Sequence, residues 1–169
     1  MPTQQEKDNF LQLIAENKGI ILKICNAYCN NKADREDLAQ EIIYTLWKGS
    51  KTYNVSFKFS TWMYRVALNV AISFYRANKK LIDTISFTEN DIEIEDKIVD
   101  KTTSDKYLSL LQEQIAALKE LDKALIILYF EEKNYKEIAE IMGITETNVA
   151  TKVSRIKEKI KQNITNSKK

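Results

Sequence analysis

Apolar residues recur along this chain at helical steps. Phe10, Ile14, Ile21, Ile24 and Tyr28 line one side of the first 30 residues, which predicts a helix broken by Asn30 and Asn31. A second helix is predicted to open near Asp34, with Glu36 and Asp37 in its first turn, where the positive end of the helix dipole favours carboxylates. It carries Leu38, Ile42, Leu46 and Trp47 on its apolar side, leaves Asp37, Gln40, Glu41 and Tyr44 on another, and stops at Gly49 and Ser50. A loop from Lys51 to Phe59 leads into a third helix, capped by Ser60 or Thr61 and running toward Lys80. Its Met63, Ala67, Val70 and Phe74 fall at steps of 4, 3 and 4, one buried stripe. Trp62, Arg65, Asn69, Ser73, Arg76 and Lys80 fall on a different face.

From Ser86 to Asp105 the periodicity disappears, which reads as a flexible acidic linker. Beyond it Leu108, Leu111, Ile115 and Leu118 are predicted to face inward, followed by a short helix through Ala124, Leu125, Leu128 and Tyr129. The run from Tyr135 to Val149 has the spacing of a helix-turn-helix. Ile138 and Met142 are apolar, Ala139 lets two helices approach, and Gly143 accepts the positive φ of the turn. In the helix after it, Val149, Val153, Ile156 and Ile160 form the inward stripe. Thr147, Thr151, Ser154, Arg155 and Glu158 then face outward, with Asn148 and Lys152 at the edge. Short polar groups with one arginine suit base edges in a major groove, while Lys157, Lys159 and Lys161 can meet phosphates.

Three glycines and one proline in 169 residues, 44% of them hydrophobic, point to an all-α chain of two small domains. We place them at 1–85 and 106–169, with the linker at 86–105. No apolar run is long enough to span a membrane, and the first residues lack a signal-peptide core, so the expected location is the cytosol. Histidine is absent, and no phosphate loop, nucleophile elbow or carboxylate pair stands out, so neither catalysis nor a cofactor is expected. Cys25 and Cys29, four apart on a helix, read as small buried hydrophobes rather than half of a metal site.

Charge sharpens the picture because it is segregated. The linker segment sums to −5 in a chain of net charge +2, leaving +7 elsewhere. Between Glu41 and Asp83 lie 41 residues without a carboxylate, holding seven cations and nine of the chain's 16 aromatic residues. Cations for phosphates and flat rings for bases are what a single-stranded nucleic-acid surface needs. The same block would also suit a solvated basic face over an apolar core; the row from Trp62 to Lys80, with Asn and Arg along it, favours the first reading.

Two motifs in order carry a family resemblance: Asp34-x-x-Asp37-Leu38-x-Gln40-Glu41, and the run Lys58-Phe-Ser-Thr-Trp-Met-Tyr-Arg-Val-Ala-x-Asn69. With the linker and the terminal helix-turn-helix, the chain from Phe10 to Ile160 resembles a bacterial extracytoplasmic-function (ECF) sigma factor of the sigma-70 family. The resemblance implies that Asp37, Leu38, Gln40 and Glu41 dock on the coiled coil of the polymerase clamp. It implies that Lys58, Phe59, Ser60, Trp62, Arg65, Asn69, Ser73 and Arg76 melt and hold the -10 promoter element, with Trp62 as a wedge. It assigns the -35 element to Thr147, Asn148, Thr151, Lys152, Ser154 and Arg155. The implied partners are core RNA polymerase and promoter DNA, with an anti-sigma factor as an open third. Many relatives carry a basic residue at the place of Ala150 and a larger side chain at that of Ser154, so no relative's -35 sequence transfers. A helix-turn-helix regulator that binds duplex DNA without polymerase is the alternative; it leaves Asp37 to Glu41 and Trp62 to Arg76 unexplained.

Overall fold

The computed structural model describes residues 1–85 and 103–168. The described residues form α-helices and one 3-10 turn, with no strand among them. The order is α1 (Gln4–Glu16), α2 (Lys18–Tyr28), α3 (Lys32–Gly49), a 3-10 turn (Ser50–Thr52), α4 (Phe59–Ile85), α5 (Thr103–Ala116), α6 (Glu120–Phe130), α7 (Tyr135–Met142) and α8 (Glu146–Ser167).

Local chemistry explains most boundaries. Thr3 and Glu6 form a capping box at the head of α1, each side chain taking the other's backbone N–H. Where periodicity predicts one helix to residue 28, the chain breaks at Asn17, whose side-chain amide donates to the Leu13 carbonyl at 2.8 Å. Phe10, Ile14, Ile21, Ile24 and Tyr28 are nevertheless all buried. Asn31 caps α3 by accepting from the Asp34 amide at 2.8 Å. The fourth helix begins at Phe59, one to two residues before the expected Ser60 or Thr61 cap. Thr103, Ser104 and Asp105, assigned to the linker from sequence, lie in α5, and the rest of that assignment falls on residues outside those described.

The core of the N-terminal half is the seam of α2, α3 and α4, with Ile24, Leu38, Ile42, Leu46 and Met63 fully buried. The apolar face of α4 is wider than one stripe: Tyr64, Leu68, Ala71 and Ile72 are buried beside Met63 and Ala67, while Val70 and Phe74 are only partly so. The reason is that α4 is covered twice, by α2 and α3 and also by α6 and α7. In the C-terminal half α8 packs on α5, α6 and α7, burying Val149, Val153, Ile156 and Ile160. Leu108, expected inward, is 54% exposed, because α5 meets its neighbours through Leu111, Ile115 and the following Leu118. Cys25 and Cys29 are free thiols buried in the first core.

Candidate polymerase and nucleic-acid interface

The end of α3 and the start of α4 build an aromatic box. The Trp62 indole lies 6.0 Å from the Phe10 ring, 5.2 Å from Tyr53 and 5.6 Å from Phe59, with Trp47 closing on Phe10 at 6.2 Å. Gly49 lies close under the indole, and a Cβ on it would stand 3.3 Å from Trp62 Cζ2 and press on the ring. The loop before α4 is ordered by its own polar groups. Tyr53 donates its hydroxyl to the Phe57 carbonyl at 2.8 Å, and Asn54 accepts from the Ser56 amide at 3.0 Å. That fold thrusts Val55 and Phe57 outward, 87% and 62% exposed. A cavity of about 870 Å³ opens beside the box, walled by Phe10, Leu13, Tyr44, Trp47, Tyr53 and Val55 among others. Helix α1 as one of its walls was not foreseen; the aromatic Phe10 at the head of the apolar row was the signal available.

Along α4, Arg65, Asn69, Ser73 and Arg76 all emerge on the exposed surface, as their spacing requires. Asn69 and Ser73 share a shallow groove of about 420 Å³ with Glu41, Val70 and Phe74, which sets an expected polymerase residue beside two expected strand contacts. Two assigned residues do not reach a surface. Phe59 is 8% exposed and sits edge-on to Phe10 and Tyr53, inside the box. Leu38 is 0% exposed and holds α3 in the core, leaving Asp37, Gln40 and Glu41 as the exposed members of their motif. Ser60 and Trp62 are half-buried, and Trp62 offers only part of its ring. Lys58 and Arg76 are exposed but engaged: Lys58 Nζ is 3.6 Å from Glu137 Oε1, and Arg76 Nε donates to Glu120 Oε1 at 2.7 Å. That bond from Arg76 holds the Glu120 carboxyl below its usual pKa.

The helix-turn-helix is built as its sequence requires. Asn134 and Glu137 form the capping box of α7, and Gly143 ends it at φ +69° with its own amide and that of Ile144 both donating to the Ala139 carbonyl. Thr145 caps α8 by accepting from the Asn148 amide at 3.1 Å. Thr147, Asn148, Thr151, Lys152, Ser154 and Arg155 are all exposed in the first turns of α8. Lys157 is less free than its neighbours, because it donates to the Tyr129 hydroxyl at 3.2 Å and lies 5.1 Å over that ring. The same bond raises its pKa.

Comparison with known proteins settles the family. Residues 13–81 match the sigma-70 region 2 family and residues 108–160 match sigma-70 region 4. The RNA polymerase sigma factor YlaC of Bacillus subtilis (strain 168) is 30% identical over 79% of this chain and 79% of its own length. The chain belongs to the ECF sigma factors of the sigma-70 family. Another relative, the ECF RNA polymerase sigma factor SigW of the same organism, is 26% identical across 94% of this chain and 90% of its own. Two solved structures share the fold of this sigma factor at 15% identity. CnrH in complex with the cytosolic domain of CnrY superposes with TM-score 0.66 over 94% of this chain and 88% of its own. The sigma factor RpoE in complex with the anti-sigma factor NepR from Bartonella quintana gives 0.68 over 93% and 97%. The protein is therefore an RNA polymerase sigma factor, a transcription initiation factor, and the polymerase-independent regulator is not favoured. Among the described residues no helix is long and apolar enough to cross a membrane.

Proposed function

We propose that this sigma factor divides promoter recognition between its halves, in the cytosol and without catalysing any bond change of its own. Asp37, Gln40 and Glu41 form the docking edge for core polymerase. The exposed row Arg65, Asn69, Ser73 and Arg76, with Lys58 and the edge of Trp62 at its head, takes the melted -10 strand. Cations hold phosphates while exposed aromatic and amide groups meet unstacked bases, a combination that stabilises single strands by roughly 1–3 kcal/mol per stacked base. That gain offsets the few kcal/mol per step needed to unstack a duplex. The first turns of α8 read the -35 element, with Arg155 long enough to take a guanine edge. An anti-sigma factor is the third partner class, supported by the complex of the Bartonella relative.

The observation that carries this reading is the pairing, in one chain, of a carboxylate-free helix face with a helix-turn-helix whose outward residues are all exposed. Transcription in a purified system with core polymerase and a promoter library tests it. Start sites should cluster downstream of one shared pair of elements. Absence of directed starts, with the protein folded and bound to polymerase, would overturn it.

A further inference from the structure

Helices α3 and α4 pack together along the core seam, and their open edge holds the groove of about 420 Å³ shared by Glu41, Asn69, Val70, Ser73 and Phe74. Its floor is apolar, because Val70 and Phe74 are half-buried and packed on the core. Its rim is polar. Glu41 from α3, and Asn69 and Ser73 one turn apart on α4, are all exposed. Among the described residues, none of these three side chains is held by another group of the protein. Arg65, one turn before Asn69, is exposed as well. Open hydrogen-bonding groups thus converge over an apolar floor with a cation beside it. An unpaired base asks for that combination: a surface to cover its face, partners for its edge and a charge for its phosphate.

The carboxylate is the telling member. Successive helical residues turn by about 100°, so Gln40 points away from Glu41, and of the docking edge only Glu41 lines the groove. Docking on polymerase does not require a carboxylate beside Asn69 and Ser73, and next to a polyanion's path it is unfavourable unless it has a task there. We propose that this groove is a reading subsite for one unpaired adenine or cytosine of the -10 strand, with Glu41 selecting the amino edge. The proposal rests on the assignment of the α4 row to that strand and adds a reader from α3. A carboxylate accepts hydrogen bonds and donates none, so it favours an exocyclic amine. Adenine N6 and cytosine N4 supply one, each next to a bare ring nitrogen to which the Asn69 amide or the Ser73 hydroxyl can donate. Guanine O6 and thymine O4 put a carbonyl in the place of that amine. Carbonyl then faces carboxylate with no proton between them, and both lose their partners.

The test uses holoenzyme formed with saturating core polymerase, on templates premelted across the -10 element with the bases of each melted strand varied in turn. At one position adenine and cytosine should exceed guanine and thymine by about tenfold. Purine in place of adenine there, which lacks only the amino group, should forfeit most of that factor. Glu41→Gln, an isosteric change at an exposed position, offers a donor as well as an acceptor and should flatten the preference at that position alone. Gln40→Ala should weaken polymerase assembly and leave every base preference where it was. If Glu41→Gln lowers all templates by one common factor, or changes none, Glu41 serves docking only and the proposal is overturned. Purine performing as well as adenine overturns it equally. Asn69→Ala shows which assignment failed. If it weakens open-complex formation while Glu41→Gln shifts no preference, the strand row stands and the reading subsite falls; if it too has no effect, the strand row falls and the subsite with it.

Discussion

Leu38 and its neighbours Gln40 and Glu41 share one motif yet should respond to mutation in opposite ways. Leu38 is completely buried between α3 and its neighbours. Truncation to Ala removes three carbons from a packed site and leaves a cavity, costing about 3 kcal/mol. In a domain of this size each kcal/mol moves the midpoint by roughly 4–8 °C, so Leu38→Ala should lower the Tm by about 10–25 °C. Gln40 and Glu41 are exposed in mid-helix, where Ala is at least as good a helix former. The double change Gln40→Ala with Glu41→Ala should therefore stay within about 0.5 kcal/mol of the parent. Its effect should appear in holoenzyme assembly instead, as about tenfold weaker binding to core polymerase measured by fluorescence anisotropy, the loss expected when an interface anchor is truncated. Leu38→Ala should show the converse, binding normally at temperatures where circular dichroism reports it folded. The reasoning is refuted if the double variant melts as early as Leu38→Ala, or if it assembles holoenzyme with parental affinity.

Arg155→Ala should cost about 1–3 kcal/mol in -35 binding and relax preference at one base position, whereas Lys159→Ala should weaken all promoters alike and reduce the salt slope by about one unit; a promoter library transcribed with each variant separates the two. Gly143→Ala should destabilise by roughly 1 kcal/mol, because the added Cβ meets no neighbour within 4 Å but must adopt φ +69°; denaturant unfolding reads this, and a neutral result would show that the turn relaxes. Burial, with a smaller contribution from Cys29, pushes the Cys25 thiol up to about 11. Since its folded pKa is raised, its share of stability is full below the ordinary thiol pKa and is lost as pH rises from about 9 to 11. Cys25→Ala should flatten that part of the pH–stability curve, and native Cys25 should resist thiol reagents at pH 8.

The elements legible in the sequence were those whose signals are local. The stripes Leu38, Ile42, Leu46 and Val149, Val153, Ile156, Ile160 follow from period alone, and Gly143 sits at a left-handed turn no other residue type takes as easily. The break at Asn17 was hidden because apolar residues keep their spacing across it. The second buried face of α4 was hidden because its cover, α6 and α7, lies far along the chain. The same cause concealed the site's most consequential detail. Nothing near Arg76 in sequence announces Glu120, 44 residues away, and a lone lysine at position 123 gives no sign that two tyrosines of the other half enclose it.

Both tryptophans of the chain, Trp47 and Trp62, flank the single ring of Phe10. Light absorbed near the red edge of the protein spectrum is therefore taken up in the N-terminal half alone, and the C-terminal half is silent to indole emission. Backbone dichroism, by contrast, samples helices from both. A heating curve followed by the two signals at once is thus an internal gauge of communication between the halves. Coincident transitions mean they melt as one unit, and separated transitions measure how far each stands without the other.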